Sequence, residues 1–167
     1  MNEDEAGNAP KGRELDMKKA DLIEASGEVV GMQNAALCYR RDKRGKTEVL
    51  LITSRDTGRW VLPKGWPIKG LTPPEAAARE AFEEAGVEGR VGTEPLGVFP
   101  YDKDAHSTEG VPVLVTVFPL AVRRLVKDFP EKGQRRLEWF SPKKASKKVD
   151  EPELSAILES FTAPSDP

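Results

Sequence analysis

The chain has 167 residues, 38% of them hydrophobic and 32% charged, with a formal net charge of −2 at pH 7. That length holds one domain with a substantial core and excludes two full ones, and a nearly balanced charge gives no global attraction to nucleic acid or to an anionic membrane. A single cysteine excludes an intrachain disulfide, and a single histidine, His106, argues against a nucleophilic triad.

Residues 1–27 are polar, with one short stretch of helical character at Leu15–Ala25, and are expected to form a flexible arm. No run approaches the roughly 18 apolar residues of a membrane span. The start Met1-Asn2-Glu3-Asp4-Glu5 is acidic where a signal peptide is basic, so a cytoplasmic location is expected. The folded domain is expected over residues 28–161. Asn34–Arg40 and Thr47–Thr53 read as two strands joined by the polar turn Arg41–Lys46, with Cys38 a buried strand thiol. Arg59–Leu62 reads as a short strand feeding a glycine- and lysine-bearing loop, Pro63–Gly70.

A helix is predicted over Pro73–Ala85. Thr72 can accept from its free amides, Pro73 takes the first helical position, Glu75 completes a capping box and Gly86 supplies the stop. Beyond it, Arg90–Tyr101 reads as an extended segment, Val111–Val122 is strongly β-prone, and Arg135–Phe140 makes a last short strand. Glu151–Phe161 reads as a closing helix with Leu154, Ile157, Leu158 and Phe161 at helical spacing. Residues 162–167 are expected to be a disordered tail. This order implies a mixed β-sheet with helices on its faces, an α/β fold.

The helix over Pro73–Ala85 carries the chemistry. At about 100° per residue, Ala78, Ala81, Phe82 and Ala85 share one stripe, and Glu80, Glu83 and Glu84 the opposite one. Like charges at i,i+4 cost a helix a few tenths of a kcal/mol, a cost that a divalent cation between Glu80 and Glu84 removes. Magnesium prefers carboxylate oxygens, keeps several waters and is often completed by substrate phosphates. The alternative is a solvated acidic face. The loop just upstream, Lys64-Gly65 with Trp60 and Trp66 on either side, favours the metal reading because it brings positive charge and a closely approachable backbone beside the acids. Three basic clusters, Arg40–Lys46, Lys132–Arg136 and Lys143–Lys148, read as solvated surface unless the fold brings them near the acidic helix.

Gly65, Arg79, Glu80, Ala81, Glu83, Glu84, Gly86 and Val87 match the signature of the Nudix hydrolases, which the chain resembles from about Asn34 to about Phe161. The first signature glutamate falls on Leu71, and Glu75, four residues before Arg79, is placed to substitute as the partner of that arginine. Ala36–Arg40, Ser54-Arg55, Arg59-Trp60 and Arg135–Phe140 resemble the diphosphoinositol and diadenosine polyphosphate branch. The loop Asp102–His106 and the triplet Gly31-Met32-Gln33 are less basic than their counterparts in inositol enzymes.

The resemblance implies an α/β/α sandwich and magnesium, or manganese in its place, held by Glu80 and Glu84. Glu83 is implied as third ligand or general base, with Glu109 the alternative base. Lys64 and Gly65 are implied to contact polyphosphate, Arg55 and Arg135 to bind substrate phosphates, and Arg79 and Gly86 to support the motif. The leading expectation is a pyrophosphohydrolase for a nucleoside or dinucleoside polyphosphate. A diphosphoinositol or RNA 5′-end hydrolase is the alternative within enzymes, and a catalytically weak polyphosphate-sensing module the alternative outside them. The expected partner is a small-molecule polyphosphate, with no membrane and no nucleic acid beyond an RNA 5′ end; oligomeric state is left open.

Overall fold

The computed structural model describes residues 31–101 and 113–165. The expectations for the N-terminal arm, for the loop that carries His106 and Glu109, and for the end of the tail lie outside the described residues.

The chain enters the sheet as β1 (Gly31–Arg41) and reverses into β2 (Thr47–Thr53). The reversal is made by Asp42, whose Oδ1 accepts from the Arg44 and Lys46 N–H groups at 2.8 and 2.9 Å, with Gly45 at φ 81° closing the turn. Two short strands follow, β3 (Trp60–Val61) and β4 (Lys64–Gly65), before helix α1 (Pro73–Ala85). Then come β5 (Val87–Val91), β6 (Gly97–Tyr101), β7 (Val113–Leu125) and β8 (Leu137–Phe140). Helices α2 (Pro142–Ser146) and α3 (Pro152–Ser160) end the fold.

The strand order is β3-β2-β1-β7-β5, with β4 paired to β1, β6 to β7 and β8 to β2. β1 and β7 run parallel from Gly31 opposite Val113 to Tyr39 opposite Ala121, while the other pairings are antiparallel, so the sheet is mixed. Consecutive residues Gln33–Cys38 and Val49–Thr53 are all buried. Because neighbours along a strand point to opposite faces, such runs mean that both faces are covered. Helix α1 packs on β1, β4 and β5, and the α2–α3 pair packs on β2 and β6, giving the expected sandwich. Cys38 is fully buried in this core, and burial pushes its thiol up to about 12.

Two expectations need correction. The extended segment Arg90–Tyr101 is two strands, because Gly92 to Leu96 leaves the ladder and the long β7 pairs with both, β6 against Val113–Val117 and β5 against Leu120–Leu125. The short α2 was not anticipated, although Ser141 caps it by accepting from the Lys144 N–H at 3.2 Å and Pro142 opens it. Residues 162–165 have no regular structure, but Ala163 packs against the core. Among the described residues no helix is long and apolar enough to cross a membrane.

Candidate metal and phosphate site

Helix α1 has the expected ends. The Thr72 side chain accepts from the Glu75 N–H at 3.3 Å, and Glu75 Oε1 accepts from the Thr72 N–H at 2.9 Å. Gly86, at φ 69°, closes the C-terminus with its N–H on Phe82 O and Ala81 O. Glu75 is therefore committed to the cap, and no ion pair joins it to the exposed Arg79.

The packing of α1 differs from the stripe read in the sequence. Pro74, Ala76, Ala77, Ala81, Glu84 and Ala85 are the buried residues, whereas Ala78 and Phe82 are half-buried. Glu84 lies only about 20° around the helix from Ala77, in the middle of the buried face. A carboxylate survives there because polar partners meet it: the Lys64 N–H at 3.4 Å and Arg135 Nη2 at 3.9 Å. Glu80 sits on the flank of this face, and Glu83 further round.

Strand β4 sets the distance between sheet and helix. A Cβ on Gly65 would lie 2.5 Å from Glu80 Oε2, so only glycine lets the backbone pass this close to the carboxyl. Glu80 is pushed up to about 9, first by burial, then by the hydrogen bond it gives Glu84, then by repulsion from Glu84, Glu83 and Glu131. Burial also raises Glu84, against the lowering effect of the Glu80 bond, of Arg135 and of the Lys64 N–H. Both carboxyls are thus pushed towards their neutral form. Among the described residues no three acidic, thiol or imidazole groups already converge on one cation position, and Glu83 lies about 100° round the helix from Glu84. The donor set nevertheless fits a hard divalent cation: a buried and a half-buried carboxyl one helical turn apart, oxygen donors only, of the kind that waters or phosphates complete.

Glu131 and its surroundings escaped the sequence reading. Its N–H donates to Glu83 O at 3.0 Å, and its Oε1 accepts from Arg135 Nε and Nη2 at 3.2 and 3.0 Å. Arg135 also donates to Thr53 O at 3.1 Å, and its side chain is only 10% exposed. It braces the acidic helix against β2 with most of its donors occupied. Arg55 is exposed and bonds Gln134 Oε1 at 2.8 Å, with Glu131 3.9 Å away. The signal in the sequence was the i,i+4 pair Glu131 and Arg135 within a basic run.

Lys64 lies on the other side of β4. Its Nζ donates to Gln33 Oε1 at 2.9 Å and stands 3.8 Å from the centre of the Tyr101 ring. Arg59 faces the same ring at 4.8 Å, and its Nη1 bonds Glu151 Oε2 at 2.6 Å and Asp150 Oδ2 at 3.4 Å. Trp66 is 50% exposed beside this group, its indole lying where a side chain on Gly31 would be. Trp60 instead packs edge-on against Phe140.

A mixed sheet that brings a capped acidic helix under a lysine–glycine strand defines an α/β domain able to hold a cation and an anion side by side. Residues 31–161 match the NUDIX domain, and the chain belongs to that family. It is 38% identical over 117 residues to diphosphoinositol polyphosphate phosphohydrolase 3-alpha of Mus musculus, covering 68% of this chain and 65% of that protein. To Nudix hydrolase 13, mitochondrial, of Arabidopsis thaliana it is 34% identical over 125 residues, covering 72% and 62%. The chain thus spans a little under two thirds of the length of these relatives. The structure of the C. elegans Ap4A hydrolase has the same fold, with a TM-score of 0.55 over 78% of this chain and 94% of that one at 23% identity.

Proposed function

We infer that this chain is a divalent-metal-dependent pyrophosphohydrolase that cleaves a phosphoanhydride bond in a nucleoside or dinucleoside polyphosphate. The observation that carries this reading is the close pair of carboxyls Glu80 and Glu84, packed under Gly65 and reached by the Lys64 N–H and Arg135, with the Lys64 side chain on the opposite face of the same strand. An arrangement that disfavours its own charge is one that a cation relieves.

Glu80 and Glu84 are the residues to hold magnesium or manganese, with Glu83 and Glu131 close enough for their charge to be felt at Glu80. The bound cation supplies Lewis-acid stabilisation of phosphate oxygens and a more acidic water. The protein's own residues do the rest. Lys64 receives a phosphate, while glycine at position 65 lets the backbone approach the chain. Glu83 takes the proton of the attacking water as its oxygen bonds phosphorus and the anhydride P–O bond breaks. The loop outside the described residues carries Glu109, the alternative base. Trp66, half-exposed beside Lys64, offers a face for a nucleobase.

A second reading, a diphosphoinositol polyphosphate substrate, is favoured by the similarity to the mouse diphosphoinositol polyphosphate phosphohydrolase. The two are separated by chromatographic analysis of products, mononucleotides from diadenosine tetraphosphate and inorganic phosphate from a diphosphoinositol polyphosphate, each with and without magnesium, for the parent and for Glu83→Gln and Trp66→Ala. Magnesium-dependent turnover that falls about 100-fold or more in Glu83→Gln supports the hydrolase. A KM that rises in Trp66→Ala for the dinucleotide alone supports the nucleotide substrate. Tight binding without turnover of any compound makes the protein a polyphosphate sensor.

A further inference from the structure

Two of the three basic clusters in the sequence are brought together by the fold, and neither is at the acidic helix. The hairpin turn between β1 and β2 and the lysines of α2 and its C-terminal end face each other across an open cleft of about 720 Å³, within the size range of small-molecule sites. Lys46 comes from the turn, and Lys144, Lys147 and Lys148 from the α2 side; the end of β8, Trp139 and Phe140, lies between them. Along β1 the cleft is roughly 20 Å from the residues that pair with Lys64 and Gly65.

The acids that share the cleft are already engaged. Asp42 accepts two turn amides, Glu48 pairs with Arg40 at 3.0 Å, and Glu138 with Arg136 at 3.5 Å. Among the described residues none of the four lysines has an acidic partner within ion-pair distance; Lys148 only faces the Phe140 ring at 5.6 Å. The walls are built rather than floppy: Ser146 Oγ bonds Lys143 O and Ser155 Oγ bonds Ser146 O, both at 2.7 Å, which ties α2 to α3. The indole of Trp139 is capped by Arg40 at 3.9 Å, leaving that face closed to a nucleobase. Charge without a stacking platform selects phosphate groups rather than bases.

We propose that this cleft is a second anion site that binds a run of linked phosphates, separate from the acidic centre. The phosphate run is that of an inorganic polyphosphate or of a nucleoside polyphosphate tail; both present the same chemistry.

The probe is tripolyphosphate, titrated into the full chain with chelator present so that the carboxylate site holds no metal, and followed by calorimetry and by amide shifts. Binding should shift amides of Lys144, Lys147 and the Asp42–Lys46 turn. It should weaken roughly tenfold in Lys144→Gln/Lys147→Gln and hardly at all in Arg123→Gln/Lys127→Gln, which removes the same charge elsewhere. Adenosine tetraphosphate binding as tightly as tripolyphosphate places a nucleotide tail in the cleft; a clear preference for tripolyphosphate points to the inorganic chain. Equal weakening in both double variants, or shifts confined to the acidic helix, overturns the proposal. A single-stranded RNA dodecamer that binds there more tightly than either probe, with Trp139 quenched, also overturns it and makes the cleft a nucleic-acid site. Equal melting temperatures of the two double variants check that folding is not the cause.

Discussion

Glu80 is the residue at which stability and binding pull in opposite directions. Its folded-state pKa is raised from an ordinary value near 4.5 to about 9. In metal-free protein its contribution is therefore most favourable below pH 4.5 and is lost as the pH climbs towards 9. Glu80→Gln removes that loss. Measured by thermal melting in chelator, the variant should gain on the parent steadily from pH 5 to pH 9, and it should lose the rise in melting temperature that magnesium or manganese gives the parent. A parent whose metal-free melting is indifferent to this substitution across that range would refute the upward shift of Glu80. The same chemistry predicts proton release: adding metal at pH 7 in weak buffer should acidify the solution by up to one proton per site, and Glu80→Gln should not. Gly65 tests the geometry of the same carboxyl. In Gly65→Ala the new Cβ meets Glu80, so turnover should fall on the order of 100-fold, as expected for a misplacement of about 1 Å, with a melting temperature changed far less.

At the scale of elements, α1 is held at both ends by devices that differ in how far they reach. Thr72→Ala removes half of a local capping box and should cost about 1 kcal/mol in denaturant unfolding. Gly86→Ala should cost more. Alanine at φ 69° is strained by about 1–2 kcal/mol, and its Cβ would meet the Phe129 ring and Val126 O. Gly86 O accepts the Val126 N–H and Glu83 O the Glu131 N–H, so the segment that brings Glu131 and Arg135 to the carboxyls is docked on the end of this helix. Its displacement should weaken metal-induced stabilisation as well, which Thr72→Ala should leave nearly intact. This contrast also marks what a reader of the sequence could see. The helix, its caps and its three glutamates were legible because each depends on residues within four positions of itself. That Glu84 is buried and Phe82 is not, or that Glu131 reaches Glu83, depends on β4 and on a segment some fifty residues away, and no local pattern records it. Strand β4 was equally hidden, since two residues carry no periodicity.

Across the whole molecule, the parallel pairing of β1 with β7 fixes where charge can gather. The Gly31–Ala35 end of β1 meets β4 and the acidic helix; its Arg41 end turns into the lysine-lined cleft. A near-zero net charge therefore hides two local excesses, visible in the sequence only as separate runs. The C-terminal helix is coupled to the first of these ends through side chains rather than backbone. Glu151, at the start of α3, bonds Arg59; Arg59 and Lys64 share the Tyr101 ring; and the Lys64 N–H reaches Glu84. Glu151 is 8% exposed, and its Oε1 lacks a hydrogen-bond partner among the described residues, so its charge is carried chiefly by the bond to Arg59. Replacing it with glutamine keeps the shape and an acceptor for Arg59 but removes the charge. About 1–3 kcal/mol of stability should be lost, since a charged hydrogen bond becomes a neutral one. Arg59, less firmly held, should then let Tyr101 and Lys64 move. If Lys64 receives substrate phosphate, KM for a magnesium-bound polyphosphate should rise about three- to tenfold while kcat stays within about threefold, the pattern of lost binding common to ground and transition states. Stability lost with KM unchanged would confine Glu151 to a structural role. A collapse of kcat instead would place Lys64 in the bond-breaking step itself.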